Sequence, residues 1–132
     1  MSAITNYAPL LGRILVGQIF LLSGINKVFH FSQTAAGMAA KGLPMAELLL
    51  VLTIIIEVGG SLMIILGWRA RLAAIVFFLW LIPVTLVFHD FWAVPENQKL
   101  MQLINFQKNI AIMGAMLYIM AFGSGPYSIK RE

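Results

Sequence analysis

Residues 45–66 read MAELLLVLTIIIEVGGSLMIIL, and the fold class turns on them. At about 1.5 Å per residue, a helix over this run is about 33 Å long, enough to cross a hydrocarbon core of about 30 Å. The apolar residues do not alternate, so a barrel strand is excluded. Pro44 precedes the run and Gly67 follows it, a start and a stop signal for a helix. One acid, Glu57, sits near its middle.

Three more runs of this kind lie on either side, at about residues 8–29, 70–88 and 106–122. Each is long enough to span a bilayer. Pro9 is expected in the first turn of the first helix, where a missing N–H costs little. Pro83 falls within the third and is expected to kink it. The fourth ends at Gly123-Ser124-Gly125-Pro126, a strong terminator. The fold class is therefore all-α membrane, a four-transmembrane-helix bundle in one domain covering residues 1–132.

Composition agrees. The chain is 61% hydrophobic and 11% charged, whereas soluble domains have about 45–50% and about 25%. A soluble fold of 132 residues has too much surface for its volume to hide that much apolar area. The absence of cysteine excludes disulfides, thiolate metal sites and thiol redox chemistry. No basic run or water-exposed domain suits nucleic acid, and the partner defined by composition is the lipid bilayer. Residues 1–29 lack a basic segment ahead of the apolar run and carry Arg13 inside it, so they read as a retained helix and not as a cleaved signal.

Four spans place both termini on one side. That side also holds Gly67-Trp68-Arg69-Ala70-Arg71, Lys130 and Arg131, while on the other side Lys41 and Lys99 are offset by Asp90 and Glu96. The basic excess puts the termini in the cytoplasm.

Ionisable residues inside a bilayer cost several kcal/mol unless sheltered, roughly 3 at the centre on insertion scales. In the first span Arg13, Gly17, Phe20, Gly24 and Lys27 share one helix face, and charges interleaved with small residues mark a face packed on other helices. Thr53, Gly60 and Ser61 share the face of Glu57. That carboxyl must be neutral or ionised beside a cation. Arg13 is the expected partner, about 8 Å away in depth by helix rise and within reach of its long side chain. Two roles stand open for the pair: a structural lock between the first two spans, or a site that carries a proton or binds a ligand.

A second polar group collects toward the far side. Asn26, Lys27 and His30 end the first span, His89 and Asp90 end the third, and Asn105, Lys108 and Asn109 open the fourth. Lys27, His89, Lys108 and Asn109 are the candidate ligand-binding residues, suited to an anionic or carbonyl-bearing group. Lys108 and Asn109 in a first helical turn would add the positive end of the helix dipole. The competing reading is that these residues only cap and snorkel. His30 and His89 on different helices invite a haem or metal, but no third ligand is at hand, and no metal site is assigned.

The sequence resembles the DoxX family of small bacterial inner-membrane proteins. The resemblance covers about residues 10–129. It rests on Arg13, Ile19-Phe20 and Ser23-Gly24-Ile25-Asn26-Lys27, then Gly42-Leu43-Pro44, Glu57-Val58-Gly59-Gly60 and Leu66-Gly67-Trp68-Arg69-Ala70-Arg71. It continues through His89-Asp90-Phe91-Trp92, Ile104-Asn105-Phe106-Gln107-Lys108-Asn109 and the terminal glycines. Where the family usually has Ser-Leu-Asp near the end, this chain has Ser128-Ile129-Lys130. The resemblance implies the bacterial inner membrane and a multi-pass topology. Some members are similar to the membrane subunit of a thiosulfate:quinone oxidoreductase, others to membrane parts of complexes that handle oxidative stress with cytoplasmic enzymes.

The functional expectation is a redox-linked membrane subunit that binds a quinone or similar lipid-soluble ligand and works with a protein partner or as a homo-oligomer. Whether the chain is itself an enzyme stays open. A non-catalytic scaffold or assembly factor is the alternative, and a proton-coupled small exporter using Glu57 ranks third.

Overall fold

A computed structural model describes residues 2–131. Five helices follow in order: α1 (Ala3–Phe29), α2 (Phe31–Ala40), α3 (Ala46–Leu66), α4 (Ala70–Phe88) and α5 (Glu96–Phe122). All but α2 are long and apolar enough to cross a membrane. The described chain contains no strand.

Three boundaries differ from the sequence reading. Helix α1 starts at Ala3, capped by the Ser2 hydroxyl, so Pro9 lies inside the helix and not in its first turn. Residues 31–40, expected as connection, form α2, because Ala, Gln and Met favour helix wherever apolar length is not required. Helix α5 starts at Glu96, about ten residues before the apolar run, since Glu96-Asn97-Gln98-Lys99 is polar yet helix-compatible. At about 40 Å, α5 exceeds the hydrocarbon thickness.

Small residues set how the spans meet. A Cβ on Gly17 would lie 2.6 Å from Ile65, and one on Gly24 2.7 Å from Val58 and 3.1 Å from the Glu57 Cβ. These close approaches fix the antiparallel register of α1 on α3, with Gly24 level with Glu57 and Gly17 level with Ser61 and Ile65. Gly60 gives the same access to the Phe77 ring of α4. The core gathers around Phe20, Ile64, Ala73, Ala74, Phe77, Leu81 and Met116, with the rings of Phe20 and Phe77 stacked at 4.4 Å. Leucines such as Leu15, Leu22 and Leu79 stay exposed on the outer surface, as lipid-facing residues do. Helix α4 packs along α3 and α5, whereas α1 and α5 approach each other little.

The first turns of α1, residues 127–130 and the α3–α4 turn meet at one end. The Ile129 and Lys130 amides donate to the Leu66 and Gly67 carbonyls at 2.9 and 3.1 Å. The Tyr7 and Tyr127 rings stack 5.4 Å apart. Gly67 turns the chain at φ +70°, and a Cβ there would strike Arg13 and Ser128.

Candidate functional site

Residues 55–59 of α3 form a π turn with Glu57 at its centre. A π turn widens the helix locally and often accompanies function. The Ser61 hydroxyl donates to the Val58 carbonyl at 2.9 Å, which satisfies backbone polarity in this widened stretch. Glu57 itself is 1% exposed.

The partner of Glu57 is Lys27, not Arg13. The Lys27 ammonium lies 2.7 Å from Glu57 Oε1 and donates to the Ser23 hydroxyl at 2.6 Å. Its approach to Oε1 is a close ion contact that compensates the buried carboxylate. Register explains the correction. With Gly24 level with Glu57, Lys27 stands one turn away, while Arg13 stands eleven residues back, about 16 Å along α1. Arg13 therefore turns to the opposite end of α3. Its Nη1 donates to the Ile65 carbonyl at 3.3 Å, and its Nη2 to the Pro126 and Tyr127 carbonyls at 3.0 Å each. A cation at this point also meets the negative end of the α3 dipole.

Lys27, Glu57, His89, Lys108 and Asn109 all line one cavity of about 160 Å³, together with Ser23, Phe20 and Trp80. All four candidate ligand-binding residues are thus brought together, and Glu57 joins them, while Arg13 stays outside. His89 Nδ1 pairs with Gln102 Oε1 at 2.8 Å. Asn109 is buried and donates to the Thr85 hydroxyl of α4 at 3.1 Å. Lys108 is exposed, with Asn105 Oδ1 at 3.5 Å. Because α5 begins at Glu96, Lys108 and Asn109 lie well inside it, and the expected help from a helix N-terminus does not apply. His30 stays at the α1–α2 corner with Nδ1 on the Asn26 carbonyl at 3.0 Å and does not line the cavity, so it does not share one with His89.

A second, larger cleft of about 510 Å³ shares Lys27, Trp80, Val84 and His89 with the polar cavity. Its other walls come from α2 and α3, with Met38 and Thr53 among them. At the mouth, Lys41 of the α2–α3 connection pairs with Asp90 at 3.3 Å and with the Val87 carbonyl at 3.2 Å. A small polar chamber and an adjoining apolar cleft thus meet at Trp80 and His89. The sequence reading missed Trp80, Ser23 and Gln102. Trp80 had a signal: an indole deep in the third span, away from the interface where tryptophan is enriched. Ser23 had one too, four residues before Lys27 on the same face.

Four apolar spans around a lysine–glutamate pair with a buried carboxylate define a small multi-pass membrane protein. The DoxX family model matches residues 8–90, well over half of the chain, and the protein belongs to the DoxX family. It is similar to inner membrane protein YphA of Escherichia coli strain K12, 32% identical over 93% of this chain and 88% of that protein. It is also similar to inner membrane protein YqjF of the same organism, 30% identical over 99% of this chain and 95% of that one. A Surfeit locus protein 4 homolog of Schizosaccharomyces pombe is 26% identical over 62% of this chain and 28% of its own length. No solved structure matches. The chain is therefore a DoxX-family integral protein of the inner membrane.

Proposed function

We propose that this protein is the membrane subunit of a redox system, binding a quinone or a similar lipid-soluble carbonyl compound and working with a protein partner. One observation carries the reading: the polar cavity and the larger apolar cleft share Lys27, Trp80, Val84 and His89. The cleft volume of about 510 Å³ falls in the range of small-molecule sites, roughly 300–1,000 Å³. The cavity alone suits a head group only. In this reading the carbonyl oxygens of the ligand accept from Lys27, Lys108 or His89, and the tail lies between α2, α3 and α4. Glu57 and Lys27 hold a proton near the ring. The chain has no cysteine, so the electrons come through the partner.

The test is binding of a short-chain quinone analogue to the protein in nanodiscs, followed by fluorescence. Trp80 lines both spaces and is the reporter, whereas Trp92 packs on Phe91 and Phe106 outside them. Saturable quenching that Lys108→Ala weakens is the expected result. Quenching absent from the native protein refutes the reading.

One observation favours the scaffold reading instead. Lys27 and Glu57 tie α1 to α3, as helix glue would. If that is their whole task, a protein with both Lys27→Met and Glu57→Gln keeps its stability and its effect on partner abundance.

A further inference from the structure

The opposite end of the bundle holds a further cleft, of about 410 Å³, between α1 and α5. It is separate from the cavity around Glu57 and shares no residue with it. Gly12 and Val16 of α1 and Ala115, Ile119 and Phe122 of α5 form its apolar wall. Its buried polar residues are Arg13 and Ser124.

Both are buried, at 3% and 0% exposure, and both have an unmatched donor. Arg13 Nε and the Ser124 hydroxyl have no hydrogen-bond partner. Such groups are rare in buried positions, because each forfeits its hydration without compensation. The charge of Arg13 is also unbalanced. Its three partners are carbonyls, and no carboxylate among the described residues reaches it. Lys130 belongs to the same end, its amide on the Gly67 carbonyl, while the described acids Glu47, Glu57, Asp90 and Glu96 belong to the other end or the middle of the spans. Tyr118 and Phe122 on the rim are exposed on the outer surface, where lipid lies.

We propose that this cleft binds one anionic phospholipid, whose phosphate accepts from Arg13 and Ser124 while an acyl chain runs along the gap between α1 and α5. Depth agrees with this. The guanidinium lies level with the α3–α4 turn, on the Ile65 and Tyr127 carbonyls, and tyrosine is a residue enriched at head-group level. A free phosphate would use the same donors but would leave the apolar wall uncovered. Basic pockets between spans are the usual places where acidic head groups are held.

The test is native mass spectrometry of the protein released from nanodiscs of equal phosphatidylglycerol and phosphatidylcholine. One retained phosphatidylglycerol per chain is expected. Arg13→Gln can disturb folding, so two milder variants carry the test. A Cβ at Gly12 meets nothing within 4 Å, so Gly12→Leu fills the cleft without touching the core. Ser124→Ala removes one donor. Each should lower phosphatidylglycerol occupancy about fivefold, the equivalent of about 1 kcal/mol, at an unchanged melting temperature. Lys108→Ala should leave it unchanged, which separates this site from the cavity proposed for the quinone. Equal retention of phosphatidylcholine, unaltered retention in both cleft variants, or a dimer in place of the bound lipid overturns the proposal.

Discussion

Two cations on one face of α1 are held in different ways. Lys27 and Arg13 lie fourteen residues apart, about 21 Å along the helix. Lys27 meets a carboxylate, Glu57, in a wall that borders open space. Arg13 meets only carbonyls, in a closed clasp of α3 and the C-terminal segment. The first arrangement pairs two ionisable groups beside open space, where the proposed ligand would lie. The second cannot titrate in any useful range, since arginine keeps its charge, and its planar fork suits carbonyls at several angles. The difference separates two ways of holding a cation: Lys27 faces an acid beside a cavity, whereas Arg13 ties the C-terminal segment to α3.

The largest effect should come from breaking the carboxylate side of the contrast. Glu57→Ala leaves the Lys27 ammonium uncompensated and is expected to cost about 3 kcal/mol, the lower part of the range for buried pairs because Lys27 is partly exposed. Thermal unfolding in detergent measures it, and adding Lys27→Met should restore most of the loss. A native melting temperature in Glu57→Ala alone would mean that the pair contributes nothing, and the contrast with Arg13 would collapse.

Arg13→Ala should cost about 2 kcal/mol, the worth of hydrogen bonds to a charged group. Its signature is local. The Ile129 and Lys130 amides, held by the Leu66 and Gly67 carbonyls, should exchange faster with solvent while the Glu57 region stays protected. Uniform loosening of both ends would show that the two regions are not independent.

Gly24→Ala tests the register that assigns each cation its partner. The added methyl would sit 2.7 Å from Val58, and overpacking of this kind costs about 1–3 kcal/mol. Gly37→Ala in α2 meets nothing and should instead stabilise by about 0.5–1 kcal/mol. The opposite signs of the two, read by the same melting experiment, would sharpen the comparison. Equal effects would contradict the close α1–α3 contact.

Lys108→Ala is the smallest in stability, within about 0.5 kcal/mol, because the side chain is exposed. Its effect belongs to binding, as a weaker quinone analogue. A large loss of stability would place Lys108 in the structural class with Arg13.

The four spans were legible from residues 45–66 and their three counterparts, because hydropathy over about 20 residues reports directly on the solvent of a helix. The buried stripe of Arg13, Gly17, Phe20 and Gly24 was legible too, since its spacing is that of one helix face. The gathering of Lys27, His89, Lys108 and Asn109 was readable because each lies near the same end of an apolar run. Helix α2 and the first turns of α5 were not. They are polar or short, and apolar length carries no signal for them.

By itself, then, the sequence determined that this chain spans a bilayer four times, which faces of α1 and α3 are buried and that Glu57 is either neutral or beside a cation. Only the tertiary structure decided which cation. Hydropathy gives depth to within a turn or two, whereas a 2.7 Å contact requires the register of α1 on α3. That register is set by how closely Gly17 and Gly24 let two backbones approach, and side-chain packing between helices has no trace in the apolar pattern of either helix alone.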